Sequence, residues 1–131
     1  MNKELPSSPY GDFLGIEMLD YGDGEARCRL ELKPQHLNTG GRVHGGVLTS
    51  LADTTAGIAV RSIRPEGKLT ATTDLGISFI RPPKGDELVA AAQVIHQGRQ
   101  LYRVEVEIHS VGKLVAKSNA TFMIVAPFDP A

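Results

Sequence analysis

Residues 36–60 read HLNTGGRVHGGVLTSLADTTAGIAV: four glycines and two histidines run straight into an apolar stretch that carries one formal charge, Asp53. From Val47 to Ile63, apolar or small residues recur at Leu48, Leu51, Ala52, Thr55, Ile58, Ala59 and Ile63, the spacing of one helical face. Arg61 and Arg64 then bring positive charge to the C-terminal end, and Pro65, Glu66 and Gly67 form a stop. This pattern predicts one long helix. A surface helix normally carries charges along its wet face. Between Gly45 and Val60 only Asp53 is charged, so the pattern reads as a helix enclosed on nearly all sides.

On the N-terminal side, residues 25–33 (EARCRLELK) alternate Ala26, Cys28, Leu30 and Leu32 against charged neighbours, the mark of a half-buried strand that Pro34 ends. Cys28 falls on the apolar face and reads as a small core residue rather than a nucleophile. On the C-terminal side come four segments of strand character, roughly 69–80, 87–96, 101–110 and 114–125, separated by turn-like stretches at 81–86, 97–100 and 111–113. In the third segment Tyr102, Val104, Val106 and Ile108 alternate with Arg103, Glu105, Glu107 and His109, so one face is wet. A short lead, residues 6–15, has room for one small helix. The expected order is strand, long helix, then four strands joined by hairpins. That is an α+β fold with its helix against an antiparallel sheet.

The chain has 131 residues, the usual size of one domain with one core. With 41% hydrophobic residues, 22% charged residues and a formal net charge of −1, it has no basic excess that would point to nucleic acid. The first residues, MNKELPSSPYGDF, lack the apolar core of a secretion signal, and no apolar run is long enough to span a bilayer. One cysteine cannot close an internal disulfide. The expectation is a single-domain cytoplasmic protein with no membrane partner.

Asp53 poses the chemical question. Burying an unpaired carboxylate is costly, so either hydrogen bonds to a neighbouring loop neutralise it or its surroundings serve a reaction. Thr49, Ser50, Ala56 and Gly57, three or four residues away on the helix, are all small and leave open volume beside it. Gly45 and Gly46 sit where helix N–H groups lack intrahelical partners, and glycine lets a ligand approach them closely. Such groups suit an ester or thioester carbonyl whose oxygen becomes negative under attack, although a plain Gly-rich loop entering a helix has the same appearance. Gly46 and Asp53 are seven residues apart, about 10.5 Å of rise at ~1.5 Å per residue. One helix therefore does not bring both groups to one substrate. Two antiparallel copies would, which points to a symmetric dimer with two composite sites.

The pattern Asn38-x5-His44-Gly45-Gly46-x6-Asp53, between one strand and four more, resembles the hotdog-fold acyl-CoA thioesterases of the phenylacetate-degradation (PaaI-like) type. The resemblance runs over about residues 10–126 and includes Phe79-Ile80-Arg81-Pro82. It implies a long central helix wrapped by an antiparallel sheet of five to six strands, dimers pairing edge to edge, often a dimer of dimers, and an acyl-CoA substrate. It also implies that Asp53 acts as general base or nucleophile, that the N–H of Gly45 or Gly46 polarises the thioester carbonyl, and that Asn38 helps position water or thioester. Thr72 falls where relatives line the site with Ser or Thr; its hydroxyl either holds water or only suits a strand. His44 reads as a loop-fixing residue more readily than as a base.

For the phosphates of coenzyme A, Arg99 beside Gly98 is the first candidate, followed by Arg81 and Lys84, with Lys113 and Lys117 also near turns. Each also reads as an ordinary surface charge. His36, His96 and His109 lack metal-ligand spacing, and serine-hydrolase and phosphate-loop motifs are missing from the sequence. No metal or redox cofactor is expected. Two alternatives stay open: a hotdog dehydratase or hydratase, whose paired His and acid would need another arrangement, and a non-catalytic acyl-CoA-binding protein.

Overall fold

The structure is a computed structural model that describes residues 7–127. A short helix, α1 (Pro9–Leu14), begins at Ser8, whose hydroxyl accepts the Gly11 N–H at 2.8 Å, and has Pro in its first turn. It stops at Gly15, where φ is +93°, a conformation glycine adopts without strain. Strands β1 (Ile16–Gly22) and β2 (Glu25–Glu31) follow as a hairpin. After a single 3₁₀ turn at Pro34–His36 and the Gly-rich loop comes the long helix α2 (Gly45–Arg61), then β3 (Leu69–Phe79), β4 (Glu87–Gln97), β5 (Leu101–Ser110) and β6 (Lys113–Val125).

The six strands form one antiparallel sheet in the order β1-β2-β4-β5-β6-β3. This corrects the hairpin expectation in one respect. β4, β5 and β6 are the meander, whereas β3 pairs with β6 at the far edge, so α2 and the 80–86 connection each cross the sheet. β1 was not among the expected strands. It is an edge strand whose residues are mostly exposed, so it shows no alternation of apolar and polar residues.

α2 lies across the inner sheet face. Val47, Leu48, Leu51, Ala52, Thr55, Ala56, Ala59 and Val60 are buried against Cys28, Leu30, Leu88, Ala90, Val104, Val106 and Ile108. The alanines bring the helix axis close to the sheet. Each fully buried Leu or Val contributes about 1.5–3 kcal/mol. The outer face carries ion pairs such as Arg29 with Glu17 at 2.7 Å and Lys117 with Glu107 at 3.4 Å. Exposed pairs of this kind add little.

The enclosed-helix expectation needs a second correction. Within one chain the opposite face of α2 (Thr49, Ser50, Asp53, Thr54, Gly57 and Ile58) is half-exposed. It remains uncharged apart from Asp53. The sheet covers one side of α2; on the other, α1 touches it where the Tyr10 and Ser50 hydroxyls meet at 2.8 Å, and the rest of that face is half-exposed among the described residues.

Candidate active site

Asp53 sits on this open face, two turns into α2. Thr72 of β3 donates its hydroxyl to Asp53 Oδ1 at 2.8 Å. The β3–β6 register slips between Thr72 and Asp74, leaving Thr73 as an extra residue of the kind that re-aims neighbouring side chains. Thr70 and Thr72, two apart on the strand, both face the same cavity as Asp53. That cavity has a volume of about 310 Å³ and an apolar wall of Ile16, Met18, Ile58 and Phe122. Ser7, Ser8, Gly11 and Asp12 close it from the α1 side, and Arg61 joins it from the end of α2. Asp53 Oδ2 has no hydrogen-bond partner among the described residues. One carboxylate oxygen is thus fixed by Thr72 and the other is open to a ligand or water.

The helix start is built by three residues. His44 is the N-cap, and its Nδ1 accepts the Gly46 N–H at 2.8 Å. With Nδ1 an acceptor, the neutral ring carries its proton on Nε2. Gly46 is therefore occupied, while the Gly45 N–H has no hydrogen-bond partner among the described residues. Of the two candidate donors, Gly45 is the one open to a carbonyl oxygen. Asn38 organises the loop before the helix: its Oδ1 accepts from Gly40 N at 2.9 Å and Arg42 N at 3.1 Å. That leaves its amide NH₂ as the free end. A buried histidine, His36, pins the same region, its Nδ1 accepting from Lys33 N at 2.9 Å and its Nε2 bonded to Leu14 O at 2.8 Å.

Within one chain these groups form two sets. Asp53 and Thr72 share the cavity; Asn38, His44, Gly45 and Gly46 do not line it. The residues considered for phosphates are also divided. Gly98 and Arg99 lie in a shallow groove with His96, Gln100, Leu101 and Arg103, whereas Lys84 lines another groove with Lys33 and Arg42 beside the Gly-rich loop. Arg81 is exposed and lines neither. Cys28 is buried, and burial pushes its thiol pKa up, partly offset by a hydrogen bond with Thr55. It is poorly suited to nucleophilic attack. Sequence reasoning gave Arg61 only a helix-stop role and passed over Ser7, Ser8 and Asp12, because positions at a helix end and in a short lead give no signal of a shared cavity.

The Thr72 bond makes a specific expectation. Thr72→Val keeps the strand shape and removes the hydroxyl that holds Asp53, so kcat should fall by about tenfold, the scale of one hydrogen bond to a charged group. KM should change little, because the lost bond is to Asp53 and not to the acyl group. Steady-state rates for the variant check both.

A model of the thioesterase superfamily matches residues 40–117, from the Gly-rich loop into β6. The chain belongs to this superfamily. The acyl-coenzyme A thioesterase PaaI of Escherichia coli is 38% identical over 96 residues, 72% of this chain and 66% of that protein. A conserved protein of Pseudomonas aeruginosa superposes with a TM-score of 0.87 at 36% identity, covering 91% of this chain and 95% of that one. A Bacillus halodurans protein solved with CoA superposes at 0.85 and 30% identity, over 93% and 82% of the two chains. The fold is the hotdog fold, and the chain is a PaaI-like thioesterase of that superfamily. It spans about two thirds of the length of the curated relatives it matches most strongly.

Proposed function

We propose that this thioesterase hydrolyses an acyl-CoA to the free acid and CoA, at sites each built from two chains. The observation that carries the reading is the Asp53 carboxylate, held by Thr72 at 2.8 Å with its other oxygen open at a cavity of about 310 Å³. Water enters beside Asp53. As its oxygen bonds to the thioester carbon, its proton passes to Asp53, and the negative oxygen that develops is stabilised by the Gly45 N–H at the start of a partner's α2. The carbon–sulfur bond then breaks, and the proton returns to the departing thiolate. In the nucleophilic variant Asp53 itself attacks and water hydrolyses the resulting anhydride. No metal or redox cofactor enters either route.

Several features of the single chain support the partner. Gly45 and Asp53 are eight residues apart on one helix, about 12 Å of rise, too far to serve one carbonyl. β3 is an eleven-residue edge strand with exposed Leu69 and Phe79, a ready surface for strand pairing. The outer face of α2, which carries Asp53 and ends at Arg61, adjoins it. A homodimer covering both is the arrangement we adopt, with a dimer of dimers as its extension, and the lone free cysteine suits the cytoplasm. Arg99 and Lys84, each in its own groove outside the Asp53 cavity, are the residues we assign to the CoA phosphates.

Release of free thiol from a panel of aryl, hydroxyaryl and aliphatic acyl-CoAs tests the reading directly. Turnover of at least one class is expected from the purified protein without added metal. Tight binding of acyl-CoA with no thiol released across the panel would leave only a binding protein.

A further inference from the structure

α1 walls the Asp53 cavity, yet apolar packing does little to hold it there. Of its six residues only Gly11 is buried, while Tyr10 and Phe13 are 57% and 79% exposed. So short a helix is not stable on its own. An element that buries so little opens readily unless polar contacts restrain it. Hydrogen bonds at its two ends supply that restraint. At the C-terminal end His36 Nε2 donates to Leu14 O at 2.8 Å, next to Gly15, where φ is +93°. At the N-terminal end the hydroxyls of Tyr10 and Ser50 meet at 2.8 Å.

The two ties differ in kind. His36 is 1% exposed and also accepts the Lys33 N–H at 2.9 Å, so it is a fixed part of the interior. The Tyr10–Ser50 bond is exposed, and water competes for both hydroxyls. The fixed end, beside a glycine, is a hinge, and the exposed end is a latch. What the latch holds down is a wall of the site. Ser8, Gly11 and Asp12, from α1 and its cap, line the same cavity as Asp53 and Thr72. Ser50 precedes Asp53 by three residues, on the same face of the helix, so the latch closes on the segment that carries the carboxylate.

Resting on the thioesterase reading, we infer that Tyr10 is a positioning residue: through Ser50 it latches α1 onto α2 and so sets the wall that holds acyl-CoA in the Asp53 cavity. Tyr10 does not itself line that cavity, so its effect on the substrate passes through α1. Apparent affinity falls with the fraction of molecules in which α1 is unlatched, whereas saturating substrate itself draws the wall closed. Binding and chemistry are therefore affected differently.

Tyr10→Phe removes the hydroxyl and keeps the ring. With an acyl-CoA that the wild type hydrolyses, KM is expected to rise by about three- to tenfold, the scale of one hydrogen bond, with kcat close to wild type. Ser50→Ala should do the same, and the double variant should be no worse than either single one, because both remove one bond. Hydrogen exchange reads the latch without turnover. In Tyr10→Phe the Asp12 and Gly15 amides, bonded to Ser8 O and Gly11 O at 2.9 Å, should exchange faster, while those of α2 should not. Unchanged KM in both single variants, KM effects that multiply in the double variant, or α1 amides that exchange at the wild-type rate would each overturn the inference. So would a fall in kcat at constant KM, which puts the pair in the chemistry instead of the wall. Each of these results leaves the hydrolase reading standing, because the wild type still turns substrate over. No thiol released by the wild type from any acyl-CoA of the panel would overturn that reading and this inference with it.

Discussion

Asp53→Ala is expected to lower kcat for acyl-CoA hydrolysis by about 10²–10⁴-fold, the range a positioned general base supplies, while the protein stays folded. The two effects separate because of where Asp53 sits. It is half-exposed, and its hydrogen bond is with the exposed Thr72, whose hydroxyl can turn to water once the carboxylate is gone. Aspartate is also a poor helix former in mid-helix, and alanine is the best, by roughly 0.7 kcal/mol. The melting temperature should therefore hold or rise slightly. Thiol release and a thermal melt on the same preparation check the pair of outcomes. Near-wild-type turnover in the variant would remove Asp53 from the chemistry altogether. If turnover is lost, a single-turnover reaction of the wild type in heavy-oxygen water tests for the anhydride route. Label found in Asp53 marks the anhydride path, because direct attack by water puts label only in the released acid.

The residues differ in how openly they declare these roles. Asp53 was visible because a single charge in an uncharged helix has no ordinary explanation, and the strict alternation in β2 and β5 marked both strands. β1 was hidden because an exposed edge strand has no apolar face to display, although Asp23-Gly24, both at positive φ, is the hairpin signal that joins it to β2. The position of β3 at the far edge depends on pairing with β6, some fifty residues on, and local pattern carries no trace of such a choice. Arg61 was read as a helix-stop cation, which in sequence it resembles. Only the fold shows that it lines the same cavity as Asp53. His44 was read as a loop-fixing residue, and the bond to Gly46 N is of that kind. The consequence for Gly45 followed only from counting which helix N–H groups were already taken.

That count allows the oxyanion donor to be deleted with little other change. Gly45→Pro removes one N–H and nothing that the helix uses. Gly45 is the first residue of α2, the position where proline is most at home in a helix. The preceding residue, His44, already has φ −65° and ψ 135°, the conformation that a residue before proline adopts. A carbon added at Gly45 would meet the Phe79 ring at 3.3 Å, but that ring is 55% exposed and can yield. Turnover should fall by about 10²–10³-fold, the usual effect of losing one oxyanion donor, with the helix intact by circular dichroism. The variant then tests the composite site. When Asp53→Ala and Gly45→Pro chains are co-expressed or refolded together, a mixed dimer places both lesions in one site and leaves the other intact. About half of randomly paired dimers are mixed, so activity should return to about a quarter of wild type, although each parent alone is nearly inactive. If Asp53 and Gly45 of the same chain served one substrate, every chain in the mixture would carry a broken site, and mixing would restore nothing.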